Sequence, residues 1–377
     1  MFRFAHRVMV LALTALPALF AQTPAPDPAP GAPPAPTPAP SAFTKKGVDI
    51  YLLGDVYGDL NFNHPASGYT QLYNFNDKAN QVHLSLAKIS FEKASGILGF
   101  RVDLGTGRTL DIINAGDDGP SRFRHFEQMY VEFRPPKAHG LQIDFGKWVT
   151  SAGAEVIESN ANWNYSRSLL FALAIPYYHF GARASLPVNK SLTAGVQVVN
   201  GWNSIGVNNG LKTVGLFENF TFKKGNFSTT YYTGPQNTFG YESYRQVLDT
   251  VVVINPTAKS SFYLNFDYAT DKNKFNSRQS VVGFAAAGRY QLTNRLAFAP
   301  RAEVFSDRDG FATGSQQLLT EVTLTGELKM REGLFSRLEY RHDQSDKPYY
   351  ERKSGMLVGK NQNTLTLAFI AFFGPKK

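Results

Sequence analysis

From Val48 to Phe373 the sequence divides into about sixteen short stretches in which apolar and polar residues alternate one by one. Successive side chains of a strand point to opposite faces, so this period marks strands with one apolar and one polar face. The first stretch puts Val48, Ile50, Leu52, Val56 and Leu60 on one face and Asp49, Asp55 and Asp59, with Tyr51 and Tyr57, on the other. The last sets Leu365, Leu367, Phe369, Ala371 and Phe373 against Gln362, Thr364 and Thr366. Between them Phe262, Leu264, Phe266 and Tyr268 oppose Ser261, Asn265 and Asp267, and Leu318, Val322, Leu324 and Leu328 oppose Glu321, Thr323, Thr325 and Glu327. Carboxylates repeated on one face of several strands require water on that side.

A soluble sandwich also alternates, with its apolar face turned inward, so the connections must decide which face is inside. They alternate in length. Long segments at Asn61 to Asn80, Gly105 to Arg122, Thr150 to Ile175, Asn200 to Gly210, Gly234 to Ser243, Thr270 to Gln279, Ser306 to Ser315 and Asp343 to Lys360 form one set. The other set is short, with turns at Lys93 to Gly96, Arg134 to Gly140, Pro187 to Lys190, Lys223 to Asn226, Asn255 to Lys259, Leu292 to Arg295 and Met330 to Gly333. Short turns on one rim and long loops on the other, on an even number of strands, are the rhythm of a transmembrane β-barrel. The fold expected is therefore all-β: an antiparallel up-and-down barrel of about sixteen strands in the bacterial outer membrane.

Composition narrows the alternatives. The chain is 43% hydrophobic, with a mean hydropathy of -0.25. No segment after the N-terminus approaches the roughly 20 apolar residues of a membrane-spanning helix. In lipid the only other spanning solution is a closed barrel, since an open sheet edge would leave backbone groups unsatisfied. With no cysteine, disulfide frameworks and thiolate metal sites are excluded. The net charge of +9 is scattered over strand ends and loops, without the stripe or motif that nucleic acid would need, so no nucleic-acid partner is expected. At the N-terminus Arg3 and Arg7 precede an apolar run from Val8 to Phe20, which reads as a signal peptide over residues 1–21, cleaved after Ala21. Residues 22–42 read as a linker: nine prolines between Gln22 and Ser41 favour an extended polyproline-II spacer lying in the periplasm. Residues 43–377 then form the barrel.

The most specific words lie between Gln142 and Asn203: Asp144-Phe145-Gly146-Lys147, Glu155-Val156-Ile157-Glu158, Asn162-Trp163-Asn164-Tyr165-Ser166-Arg167-Ser168, Ala174-Ile175-Pro176-Tyr177-Tyr178-His179 and Val199-Asn200-Gly201-Trp202-Asn203. In this order they resemble the OmpL-like family of β-barrel porins. The resemblance implies an outer-membrane porin, a water-filled channel for passive diffusion of small hydrophilic solutes or ions, and leaves the solute open. The Ala-Pro tract lies outside the family pattern, and Gly374-Pro375-Lys376-Lys377 follow the final Phe373 where barrels usually end. Partners expected are outer-membrane lipid and lipopolysaccharide, the solutes themselves, and further copies in a homotrimer. The alternative is a non-conducting barrel with an adhesive or structural role in the envelope.

Sixteen strands enclose an aqueous lumen, so function rests on what narrows it. The connection from Thr150 to Ile175 is long and carries aromatic anchors at Trp163 and Tyr165, which suggests a loop folded into the lumen. Glu155 and Glu158 facing Lys147, Arg167 and Arg183 would set up a transverse field there. Along the strands Arg183 shares a face with His179 and Ser185, Arg101 pairs with Asp103, Arg301 with Glu303, and Arg337 and Arg341 with Glu339; as neutralising ladders these would simply stabilise a wet wall. No enzyme and no cofactor are expected. His83 and Ser85 have the spacing of a nucleophile and its base, but Val82, Leu84 and Leu86 claim the lipid face and no third partner can be assigned. Asp117-Asp118 lacks the spacing of a calcium loop, and His64, His125, His139 and His342 lack that of metal ligands.

Overall fold

The computed structural model describes residues 43–94, 96–117, 121–206, 211–238, 241–273 and 275–375. The signal peptide and linker read from the sequence therefore lie outside the described residues.

Sixteen antiparallel strands form the wall: β1 (Val48–Asn61), β2 (Gln81–Lys93), β3 (Leu98–Thr106), β4 (Phe126–Phe133), β5 (Gln142–Val149), β6 (Tyr178–Pro187), β7 (Leu192–Val199), β8 (Thr213–Phe222), β9 (Gly225–Thr238), β10 (Tyr241–Thr257), β11 (Ser260–Lys272), β12 (Arg278–Gln291), β13 (Leu296–Asp307), β14 (Gln317–Arg331), β15 (Leu334–Ser345) and β16 (Asn361–Phe373). Each pairs with its neighbour in sequence, and β16 pairs with β1 in the register Leu367 with Gly58 and Phe369 with Val56, so the sheet closes without an edge. Closure satisfies the backbone that lipid cannot. Two short helices, α1 (Arg108–Ile113) and α2 (Leu169–Leu173), lie in the long connections.

Exposure identifies the outer face. Leu264 (45%), Val322 (46%) and Leu367 (45%) are exposed, whereas their neighbours Asn265, Thr323 and Thr366 are buried. The apolar positions form the lipid-facing band and the polar positions point inward, as the connection lengths require. Connections 62–80, 107–125, 150–177, 200–212, 308–316 and 346–360 leave one rim, and turns such as 223–224, 258–259 and 332–333 leave the other. Two expected loops are shorter than their composition suggests. β9 and β10 stay paired through Pro235 with Tyr244 up to Thr238 with Tyr241, and β11 pairs with β12 as far as Lys272 with Arg278. A backbone ladder supplied by the partner strand overrides local turn propensity here.

Two irregularities re-aim side chains. Asp55 pairs with Leu86 but Val56 pairs with Leu84, so Ser85 is an extra residue in β2. This bulge turns Leu86 inward, where it is 1% exposed, rather than to lipid as simple alternation expects. A second shift, between Asp103 with Gln128 and Leu104 with Phe126, inserts Glu127 into β4 and buries its carboxylate inside.

The core of the molecule is inside the barrel. Ile157, Tyr165, Leu170 and Phe171 of the connection 150–177 pack with Leu53 and Tyr57 of the wall, Phe75 of the connection 62–80 and Leu110 and Ile113 of α1. The rings of Phe75 and Phe171 meet edge-on at 6.0 Å. An aqueous lumen deduced from polar inner faces is thus partly filled by apolar side chains that the loops carry in.

Candidate functional site

The connection 150–177, called L3 below, begins at the end of β5 and crosses the lumen to the far wall. Its first contacts are with β9 to β11: Ser151 Oγ and Tyr232 Oη lie 3.3 Å apart, and Ala154 N donates to Asn265 Oδ1 at 3.1 Å. Further on, Asn164 Nδ2 donates to Thr325 Oγ1 (2.8 Å) and the amides of Tyr165 and Ser166 donate to the two carboxylate oxygens of Glu339 (2.6 and 2.8 Å). Ser159 Oγ and Tyr165 Oη donate to Asp55 at 2.7 and 2.9 Å. The loop ends in α2, whose N-cap Ser168 accepts from Phe171 N. Carbonyls and amides left free by this irregular chain are taken up by inward-pointing side chains of the wall, which is what allows non-helical backbone at membrane depth.

Three arginines of the wall do most of this. Arg301 Nη1 donates to Glu155 Oε1 and to the carbonyl of Ser166, each at 2.7 Å, while its Nε lies 3.1 Å from Glu303 and 3.2 Å from Glu321. Arg337 donates to the carbonyls of Ser159 (2.6 Å) and Asn162 and pairs with Glu327 at 2.9 Å. Arg341 donates to the carbonyl of Arg167 at 2.8 Å and pairs with Asp343 at 2.7 Å. The ladders Arg101 with Asp103 and Arg301 with Glu303 form as expected. Arg337 and Arg341 do not pair with Glu339, because Glu339 is occupied by the amides of L3 and by Thr325.

Of the five charged residues singled out in the sequence, three lie on L3, one of them at its edge, and two lie on the strands that flank it. Glu155 is buried against Arg301 and also accepts from Ser168 N at 2.6 Å. Arg167 is buried inside L3, donating to the carbonyls of Val156, Tyr165 and Ile157, with its guanidinium 5.2 Å from the Phe75 ring centroid. Glu158 stands at the loop's edge, bonded to Lys88 Nζ at 2.6 Å. Arg183 lies on the inner wall, bonded to Asp144 at 2.6 Å and stacked on Trp148 and Tyr130. Lys147 is on the outer face: it pairs in register with Met129 and Phe180, and it is fully buried at the rim, donating to Asn114 Oδ1 (2.6 Å) and Phe126 O (2.8 Å) over the Tyr178 ring. Gly146, the residue before it in β5, has a φ of 134°.

Between L3 and β1 to β3 lies a cavity of about 410 Å³, lined among others by Tyr51, Lys88, Glu92, Arg101, Glu158 and Asn160. On the other side of L3 a cavity of about 170 Å³ is lined by Ala172 to Ile175, Trp202, Arg245 and Phe311. Lys88, which the sequence reading passed over, holds the first together: its ammonium lies 2.5 Å from Glu127, 2.6 Å from Glu158 and 3.6 Å from Asp103. Nothing local marks Lys88; its partners come from β3, β4 and L3. The pair considered for catalysis is not assembled: Ser85 Oγ lies 3.1 Å from Thr109 Oγ1, and His83 Nδ1 is turned to the carbonyl of Leu84 at 3.1 Å.

Residues 48–373 match the model of a family described as "Putative beta-barrel porin-2, OmpL-like". The chain belongs to that family. It is an outer-membrane channel of the porin type. Solved structures with the same fold include an anion-selective porin from Comamonas acidovorans (TM-score 0.60, 10% identity, covering 86% of this chain and 99% of that one). The outer membrane channel DcaP of Acinetobacter baumannii aligns at 0.59 with 11% identity over 88% and 99% of the two chains. The trimer form of OmpT of Vibrio cholerae aligns at 0.57 with 11% identity over 86% and 99%. At such identities the likeness is one of fold. No curated protein matches the chain in sequence.

Proposed function

We propose that small hydrophilic solutes and ions diffuse through this barrel alongside L3, through the space between the loop and β1 to β3, with L3 as the fixed constriction. The observation that carries this reading is the asymmetry of the loop's anchoring. Its backbone and the side chains of Glu155 and Arg167 are spent on β11 to β15 and on the loop itself, while Glu158 faces the cavity lined by Lys88, Glu92 and Arg101. Glu155 and Arg167 then act by holding L3 in place, Glu158 acts on what passes, and Arg183 lines the wall.

On this reading the chain is not an enzyme, its long loops face the outside of the cell amid lipopolysaccharide, and the N-terminal 42 residues are a signal peptide followed by a periplasmic linker. A homotrimer fits the short wall formed by β3 to β7, of 8 to 10 residues per strand against 12 to 17 in β9 to β15. Single-channel recording of the purified chain in planar bilayers tests the proposal. Steps of conductance that grow when residues 160–166 are deleted are expected. A folded barrel that never conducts would support the envelope-structural alternative, for which the apolar packing inside the barrel is the observation in favour.

A further inference from the structure

The cavity beside L3 carries an uneven set of charges. Its two cations, Lys88 and Arg101, are shared among four carboxyl groups, Glu92 and Glu158 at the cavity and Asp103 and Glu127 buried behind it. Lys88 is shared by Glu127, Glu158 and Asp103, and Arg101 by Asp103 at 3.0 Å and Glu92 at 3.6 Å. One oxygen each of Asp103, Glu127 and Glu158 fall within 4.8 Å of one another. Lys88 is the one ammonium at that point, and Asp103 leans mainly on Arg101. Independently, Glu127 is completely buried and its Oε1, beside this cluster, has no hydrogen-bond partner. A buried carboxyl oxygen without a partner is costly, and a cation held beside Lys88 at the inner end of the cavity would relieve it.

The neighbouring inner wall offers no compensating excess of cations. Asp144 is paired with Arg183 at 2.6 Å and Glu132 with Arg134 at 3.0 Å, each acid with its own base. Behind L3, Glu155, Glu303 and Glu321 likewise converge on Arg301, with Arg341 3.8 Å from Glu321 as the second guanidinium. The positive net charge of the whole chain is thus no guide to the field inside, where a narrow, low-dielectric passage focuses the local excess.

We infer that the cavity between L3 and β1 to β3 is a cation subsite, so that the channel passes metal cations and amine-bearing solutes in preference to anions. This rests on the channel reading above and names the class of solute that it favours. Glu158 and Glu92, the two acids that reach the cavity surface with side chains 17% and 23% exposed, are the residues that set the preference.

The test is the reversal potential of the purified full chain in a planar bilayer under a KCl gradient, with bilayers of neutral lipid so that the membrane adds no charge. The expected wild-type permeability ratio for potassium over chloride is above one, and Glu92→Gln and Glu158→Gln each bring it toward one. Glu92→Gln touches only the partly exposed pair with Arg101, so it retains the folded barrel even where loss of Glu158 unseats L3. A wild-type ratio at or below one, or a ratio that both variants leave unchanged, overturns the inference while leaving the channel intact. Absence of any conductance would overturn the channel reading itself.

Discussion

Arg301 is where L3 is bolted to the wall, and replacing it should show how much the seating is worth. Its side chain is fully buried, and within 3.2 Å it meets Glu155 of the loop and Glu303 and Glu321 of the barrel, besides the carbonyl of Ser166. Arg301→Met keeps most of the volume but leaves three carboxylates in contact with only one other guanidinium, that of Arg341 at 3.8 Å from Glu321. Removing one partner from a buried charge cluster costs about 3–5 kcal/mol, since the remaining charges stay desolvated and repel one another. Arg289→Met is the control. Arg289 is 28% exposed and its partner Glu327 keeps a second guanidinium, that of Arg337, at 2.9 Å, so the cost should be about 0–1 kcal/mol. Urea unfolding in lipid vesicles, read by tryptophan fluorescence, measures both. To separate loop release from global weakening, Ala174→Cys gives the only thiol in a chain without cysteine, at a position 1% exposed next to α2. Its labelling by a charged maleimide should accelerate in the Arg301→Met background and not in the Arg289→Met background. Equal unfolding costs, or equal labelling rates, would refute the role given to Arg301.

Other predictions follow from the wall, the turns and the loops. Leu264→Arg, on the outer face, should destabilise the barrel by roughly 2–4 kcal/mol if it lies near the bilayer midplane, whereas Arg at the inward, partly exposed Ser228 should cost far less; unfolding in vesicles distinguishes them. Gly107→Ala should cost about 1–3 kcal/mol and loosen α1, because at a φ of 126° the new Cβ would sit 2.5 Å from the Ser85 carbonyl; proteolysis within 107–125 reports it. Hydrogen bonds from the hydroxyl and amide of Ser67 hold the Glu351 carboxyl below its usual range. The contact between connections 62–80 and 346–360 is therefore in full force at neutral pH and is lost as pH falls through that lowered value. Hydrogen exchange of the Ser67 amide should quicken only in acid below the ordinary carboxylate range, and in Glu351→Gln it should be quick at all pH values.

How far the sequence could be read follows from the range of the interactions involved. Alternation such as Leu264 against Asn265 is a property of adjacent residues, so the wall and its closure are legible in it. A single extra residue is not: Ser85 and Glu127 shift the register only because of what their partner strands do, and they alone decide that Leu86 and the Glu127 carboxylate point inward. The length and aromatic content of L3 mark it as unusual, but each of its anchors is remote in sequence, with Asn265, Arg301 and Glu339 lying 111, 146 and 174 positions from the atoms that they bind. Lys147 illustrates the same limit from the other side. Its place in a distinctive motif suggests the lumen, but strand parity puts it outside, and only the loop carrying Asn114 makes that position tenable for a lysine.

These placements sort the charges of L3 by what each has left to offer a solute. A buried side chain whose hydrogen bonds are all taken by protein has no free donor or acceptor, and moving it costs more than a passing ion could return. Glu155 and Arg167 are in that position, held by Arg301, Ser168 and the carbonyls of Val156, Tyr165 and Ile157. Their charge belongs to the fold of the loop. Glu158 differs because its one strong partner, Lys88, is itself divided among three acids, so its carboxylate remains under-neutralised at the cavity surface. On the cation-subsite proposal, selectivity in this barrel is set where L3 meets β2, at the acids that share Lys88. The charges that look most conspicuous in the sequence of the loop serve to keep that edge in place.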